Sequence, residues 1–134
     1  DRLTDVPGSS AYVERGVVAY SNAAKIEQLG VPEDLLAAHG AVSAEAAAAM
    51  AEGIRRVSGA TYGLSTTGIA GPSGATAAKP VGLVYLGLAH AQGVVTRERR
   101  FGTERRLNKV RAALAALDML RLFLIDPEQG EKGI

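Results

Sequence analysis

The strongest constraint on this chain is the glycine-rich stretch from Ser65 to Gly82, set between two apolar segments. On its left, Tyr62 to Thr67 alternates Tyr62, Leu64 and Thr66 with smaller residues; on its right, Val81 to Ala89 is a nearly continuous apolar run carrying Val81, Leu83, Tyr85, Leu86 and Leu88. These patterns predict a strand, a loop and a second strand. Inside the loop, Gly68, Gly71 and Gly74 recur every third residue beside Pro72 and Pro80, so the backbone can take positive φ and bring bare N–H groups close to a ligand. Such amides can form an anion-binding concavity. A long surface connection that needs glycine only for its turns is the plain alternative. Two familiar phosphate loops are excluded: Lys79 is followed by Pro80 and a strand rather than by a helix, and no G-x-G-x-x-G occurs.

With 134 residues the chain predicts one domain large enough for a sizeable core. A formal net charge of +1 gives no electrostatic case for nucleic acid or an anionic membrane, and 4% aromatic residues are too few for a base-stacking platform. Without cysteine there is no disulfide framework and no thiol nucleophile; His39 and His90 alone make a poor metal-ligand set. Neither a metal nor a cofactor is expected. No apolar run reaches membrane-spanning length and no leader sequence is visible, so a cytoplasmic location is expected. The start at Asp1 without methionine, running into Leu3, Val6 and Pro7-Gly8, suggests a truncated N-terminus.

In order, Asp1 to Ser10 reads as a helix end passing into a turn, and Tyr12 to Tyr20 as a strand. Ser21 is suited to cap a helix carrying Ala23, Ala24, Ile26 and Leu29 that Gly30 closes. Pro32 suits the first position of a short helix ending at His39, and Ser43 caps an alanine-rich helix from Ala44 to Ser58 whose Ala46, Met50, Ile54 and Val57 share a face. Beyond the second apolar strand, Val94 to Phe101 completes an antiparallel hairpin with one solvated face. A final helix of about six turns, capped by Thr103 or a neighbour, presents Leu107, Val110, Leu114, Leu117, Leu120 and Leu124 as an apolar stripe and stops at Asp126-Pro127. The expected fold is α/β, a three-layer α/β/α sandwich with a mixed sheet spanning residues 1–127, followed by a polar tail at 128–134.

Ligand sites in α/β folds gather at strand-to-helix junctions. Three groups stand there. Lys25 lies one helical turn beyond Ser21, behind Tyr20 and Asn22; held against apolar packing, a lysine can lose its charge and serve as a base for a hydroxyl. An ordinary surface lysine is the alternative. Ser9, Ser10, Ser21, Thr66 and Thr67 supply hydroxyls, with Ser21 also explicable as a cap and Ser9 and Ser10 as turn residues. Arg105, Arg106, Lys109 and Arg111 cluster near the last helix start, where an arginine can clamp a phosphate or simply face solvent.

Five strings carry a resemblance: Asp5-Val6-Pro7-Gly8-Ser9-Ser10, Val18-Ala19-Tyr20-Ser21-Asn22-Ala23-Ala24-Lys25, Leu29-Gly30-Val31, His39-Gly40-Ala41-Val42-Ser43, and Thr67-Gly68-Ile69-Ala70-Gly71-Pro72 through Lys79-Pro80-Val81-Gly82. Together they resemble the CinA C-terminal family of PncC-type nicotinamide-nucleotide amidases, over nearly the whole chain. That family hydrolyses the carboxamide of nicotinamide mononucleotide to nicotinate mononucleotide and ammonia, alone or as the C-terminal half of competence- and damage-inducible CinA proteins.

The resemblance implies a set of roles. Lys25 matches the catalytic lysine, with Tyr20 and Thr67 beside the chemistry. Ser10, Asn22, Gly68, Ile69, Ala70, Gly71, Gly74, Thr76, Lys79 and Arg105 are implied to line the substrate site, Arg105 within a local pattern that departs slightly from the family's. The implied partner is the small-molecule substrate, with no nucleic acid and no membrane; an alanine-rich helix and an exposed hairpin edge leave room for a homo-oligomer. The family's Glu-Ser-Cys-Thr-Gly-Gly motif, which supplies the nucleophilic hydroxyl, does not occur in these residues. The expectation is therefore either that the first helix, first strand and nucleophile loop are missing or that this copy lacks the hydroxyl; in both cases this chain alone does not turn over. A non-catalytic nucleotide-binding or protein-interaction domain is the competing reading.

Overall fold

The computed structural model describes residues 2–128, so the predicted tail beyond Glu128 lies outside the described residues. A single 3-10 turn, Ser9–Ala11, precedes helices α1 (Asn22–Leu29), α2 (Glu33–His39) and α3 (Ala44–Ser58). Strands β1 (Gly63–Gly68), β2 (Leu83–His90) and β3 (Gly93–Arg100) and the long helix α4 (Arg105–Ile125) complete the fold.

The capping residues act as their chemistry requires. The hydroxyls of Ser21 and Ser43 accept the amides of Ala24 at 3.0 Å and Ala46 at 3.1 Å, while Gly30 and Gly59 end α1 and α3 at φ of 65° and 69°. Pro32 stands one position earlier than expected, at the N-cap of α2. The cap of α4 is Glu104 rather than Thr103: its carboxylate accepts the Arg106 amide at 2.8 Å.

The sheet order is β1-β2-β3, and both pairings are antiparallel. The expected strand at Tyr12 to Tyr20 is not formed among the described residues; residues 13–20 carry no helix or strand, and Val18 and Tyr20 are exposed. Only Val17 and Ala19 of that segment pack inward, against the cluster around Leu29, Val31 and Leu36. The mixed sheet is therefore corrected to an antiparallel one, because a β-rich sequence becomes a strand only where a partner backbone accepts its hydrogen bonds.

The three-layer order holds, with α3 on one face of the sheet and α4 on the other. Register explains how α3 comes close. Ser65 opposes Gly87, Gly63 opposes Ala89 and Thr67 opposes Tyr85, so this face is built largely from small residues. A side chain at Gly87 would collide with the Ala47 carbonyl and stand 2.6 Å from the Ser65 hydroxyl. That hydroxyl donates to the same carbonyl at 2.6 Å, tying helix to strand directly. Outside α3, a second apolar cluster packs α1 and α2 against Ala46 and Met50.

On the opposite face, Val84, Leu86 and Leu88 meet Ala112, Ala116, Met119 and Phe123 of α4. This corrects the predicted leucine stripe. Leu107, Leu114 and Leu124 are 46%, 45% and 56% exposed, and Val110, Leu117 and Leu120 are half-buried. Apolar residues lie all round α4, and the face with small residues wins because Ala112 and Ala116 let the helix approach the branched side chains of β2.

Gly87→Ala is expected to destabilise the fold by about 1–3 kcal/mol through overpacking. Gly16→Ala, where an added methyl meets nothing within 4 Å, should change stability little. Thermal or denaturant unfolding of both variants checks the contrast; equal midpoints would remove the close approach of α3 as a constraint.

Candidate active site

Three elements converge at one end of the sheet: the irregular segment leading into α1, the loop between β1 and β2, and the first turn of α4. Their contacts follow from the β1–β2 pairing, which releases the chain at Gly68 opposite Val84.

The loop is folded back on its strands before anything else touches it. The Ile69 amide donates to the Leu83 carbonyl at 2.9 Å and the Gly82 amide donates to the Ile69 carbonyl at 2.8 Å, extending the ladder by one irregular rung. Further out, Thr76 and Lys79 exchange main-chain hydrogen bonds of 2.9 and 3.2 Å, and the Thr76 hydroxyl accepts the Lys79 amide. Lys79 then reaches across to the α2 C-terminus, its Nζ donating to the His39 carbonyl at 2.9 Å. A cation suits that end of a helix.

On the other side, α4 holds two consecutive loop carbonyls. Arg105 donates from Nη1 to the Gly71 carbonyl at 3.0 Å, and Asn108 donates from Nδ2 to the Ala70 carbonyl at 3.0 Å and to the Gly102 carbonyl at 2.9 Å. Arg105 also donates from Nη2 to the Tyr20 hydroxyl at 3.4 Å. Tyr20, Gly71 and Arg105, far apart in sequence, thus meet.

Lys25 is buried, only 6% exposed, although it lies on the first turn of α1. Its Nζ donates to the carbonyls of Ala19 at 3.1 Å and Tyr20 at 3.3 Å. Burial pushes its pKa below the ordinary lysine value of 10.5. A neutral amine has two N–H bonds and one lone pair, so the two carbonyl acceptors use both donors and leave the lone pair available.

The remaining expected site residues divide by location. The Thr67 hydroxyl donates to the Ala41 carbonyl at 2.6 Å, so its proton is committed to the main chain and its lone pairs remain as acceptors. Gly68 packs against Val84 with no room for a side chain, and Gly71 and Gly74 have φ of 91° and 90°, conformations that favour glycine. Ser10 and Asn22 are exposed, and no hydrogen bond among the described residues ties either to the loop. Asn108 is not among the residues expected at the site. Its position two residues beyond the arginine pair in a polar helix start gave no signal of burial, yet it is 1% exposed.

An α/β domain with a junction site built on a buried lysine and a tethered glycine loop is the class that this geometry defines. The chain belongs to the CinA C-terminal domain family, which it matches over residues 1–124. A CinA-like protein of Anaeromyxobacter dehalogenans (strain 2CP-1) is 55% identical over 122 residues, 91% of this chain and 30% of the relative. A putative competence-damage inducible protein of Acetivibrio thermocellus is 49% identical over 124 residues, covering 92% of this chain and 30% of the relative. The chain thus spans about 30% of the length of these curated relatives. Among solved structures, the competence/damage inducible protein CihA from Agrobacterium tumefaciens is 43% identical with a TM-score of 0.87, covering 90% of this chain and 74% of that one. The competence damage-inducible protein A (ComA) from Klebsiella pneumoniae is 29% identical with a TM-score of 0.88, covering 92% and 77%. Among the described residues, no helix is long and apolar enough to cross a membrane.

The lowered pKa of Lys25 makes a stability prediction with a definite sign. Between its folded value and 10.5 the unfolded chain binds more protons, so wild-type stability rises with pH across that window. Lys25→Met should therefore be more stable than wild type at neutral pH, and its advantage should shrink as pH approaches 10.5. Denaturant titrations at a series of pH values test this; a pH-independent difference would show that Lys25 is not desolvated.

Proposed function

We propose that this domain acts as a nicotinamide-nucleotide amidase, hydrolysing the carboxamide of nicotinamide mononucleotide to nicotinate mononucleotide and ammonia. The observation that carries the reading is Lys25, a buried amine whose two hydrogen-bond partners are both neutral carbonyls. A lysine in that setting can work as a neutral general base.

In the proposed reaction a serine or threonine hydroxyl attacks the carboxamide carbon while the Lys25 lone pair takes its proton. The tetrahedral intermediate then collapses; the carbon–nitrogen bond breaks and Lys25 returns the proton to the departing ammonia. Water, activated by the same amine, hydrolyses the resulting ester and frees the hydroxyl. By family resemblance the hydroxyl comes from the Glu-Ser-Cys-Thr-Gly-Gly motif, a string absent from these 134 residues. The loop amides of Ala70 and Gly71 serve the substrate's phosphate or its developing oxyanion. Arg105, bound to the Gly71 carbonyl, adds positive charge beside them.

The exposed leucines of α4 favour a second reading, a protein-interaction module of a competence- or damage-inducible protein. One experiment separates the two. A longer form carrying the hydroxyl motif should release ammonia from nicotinamide mononucleotide, and Lys25→Ala in that form should slow the chemical step about 10²- to 10⁴-fold with little loss of binding. Ammonia release and calorimetric binding, measured side by side, decide it. Equal rates in the two forms would eliminate Lys25 as the base, tight binding without turnover in either would leave a non-catalytic nucleotide-binding domain, and neither binding nor turnover would favour the interaction module.

A further inference from the structure

Asn108 is the one buried polar side chain here with an unsatisfied atom: among the described residues its Oδ1 has no hydrogen-bond partner. Leaving a buried acceptor unpaired is costly, so a residue selected for packing alone would be apolar at this place. What distinguishes asparagine is its NH2 group, and both of its hydrogens are used, on the carbonyls of Ala70 and Gly102. The same two bonds fix which end of the amide is nitrogen, because an oxygen facing two carbonyls would be repelled.

The consequence lies in the loop. In a trans peptide the carbonyl of one residue and the amide of the next point opposite ways. The Ile69 carbonyl accepts from Gly82 and the Ala70 carbonyl from Asn108, so the amides of Ala70 and Gly71 are turned away from those partners. Neither amide donates to another group among the described residues. Arg105, three residues before Asn108 on α4, holds the next carbonyl, that of Gly71.

We propose that Asn108 is a positioning residue of the ligand site: by gripping the Ala70 carbonyl it turns the Gly71 amide away from α4, beside the Ala70 amide that the Gly82 bond orients, so that the pair can receive an oxygen acceptor of the ligand. The inference rests on the function proposed above for its choice of ligand, while the grip itself can be read in the free protein. The acceptor chemistry is shared by two parts of nicotinamide mononucleotide, its phosphate and its carboxamide oxygen.

The test uses Asn108→Leu, which keeps the heavy-atom count and branching and removes the donors, with Asn108→Ala as a second variant in case the bulkier leucine does not fold. Hydrogen–deuterium exchange of the free protein should accelerate about fivefold or more across residues 69–76, the factor expected for losing a typical hydrogen bond, while β1, β2 and α3 keep their protection. Calorimetry should show about fivefold or greater weakening of nicotinamide mononucleotide binding. Weakening for the mononucleotide but not for nicotinamide riboside assigns the amides to the phosphate; equal weakening for both assigns them to the carboxamide oxygen. A folded variant with wild-type affinity for both ligands overturns the proposal. If the wild-type chain binds neither ligand, the choice of ligand fails by itself, and exchange still decides: a faster loop upholds the grip of Asn108 and an unchanged loop refutes it.

Discussion

The structure depends on how closely α3 approaches the β1–β2 pair. Two glycines without room for a side chain, Gly63 and Gly87, lie on the sheet face beneath the Ala51 and Ala47 carbonyls, and Ser65 donates to Ala47 between them. Gly53 repeats the device on the outer side, where a side chain would strike the Leu29 carbonyl. Backbone-to-backbone packing of this kind leaves little freedom of rotation or slide, since any shift meets main-chain atoms rather than flexible side chains. It fixes α1 relative to the sheet through α3, and with it the place of Lys25. The same stacking sets the α2–α3 junction, where Thr67 meets the Ala41 carbonyl and Lys79 meets the His39 carbonyl.

The loop between β1 and β2 inherits its shape from that frame. It is long and rich in glycine, so its order has to come from tethers rather than from local propensity. Those tethers are spread over both sides, with the α2 C-terminus taking Lys79 and the α4 N-terminus taking Gly71 and Ala70. Tyr20 joins the segment before α1 to the same group through Arg105. Helix packing and loop geometry are consequently coupled: displacing α4 along its axis would release two loop carbonyls at once.

Much of this was legible in the sequence because the signals were local. Ser21, Ser43, Gly30 and Gly59 mark helix ends by side-chain chemistry that acts within a few residues, and the apolar alternation around the loop fixes β1 and β2. The failures were all questions of partner choice. Tyr12 to Tyr20 has strand character, but pairing is decided by what lies alongside, and nothing in its own residues states that. For α4, apolar residues on every face left the buried side undetermined, and selection fell to Ala112 and Ala116 because close approach outweighs the larger transfer energy of the leucines. Of the candidate site, Lys25, Tyr20 and Arg105 stand out in the sequence by their junction positions and Gly71 by the glycine spacing, and the structure brings Tyr20, Gly71 and Arg105 together. Asn108 has no such signal, because its burial depends on one carbonyl from a distant loop, Ala70, and one from Gly102 just ahead of α4.

Lys25 and Asn108 share a thermodynamic oddity that sets this end of the sheet apart from the rest of the core. Three other buried side chains are paired: Ser43 and Ser65 donate to carbonyls at 2.9 and 2.6 Å, and Thr67 does the same at 2.6 Å. Lys25, by contrast, is an ionisable amine buried without an anion, and Asn108 keeps an acceptor that nothing answers. Each would be better served, for stability alone, by an apolar residue of similar size. Local rules broken without a structural gain are characteristic of functional positions. Here the two exceptions flank one loop, Lys25 through the Tyr20–Arg105 link and Asn108 through the Ala70 carbonyl, so the cost is concentrated where the candidate chemistry is.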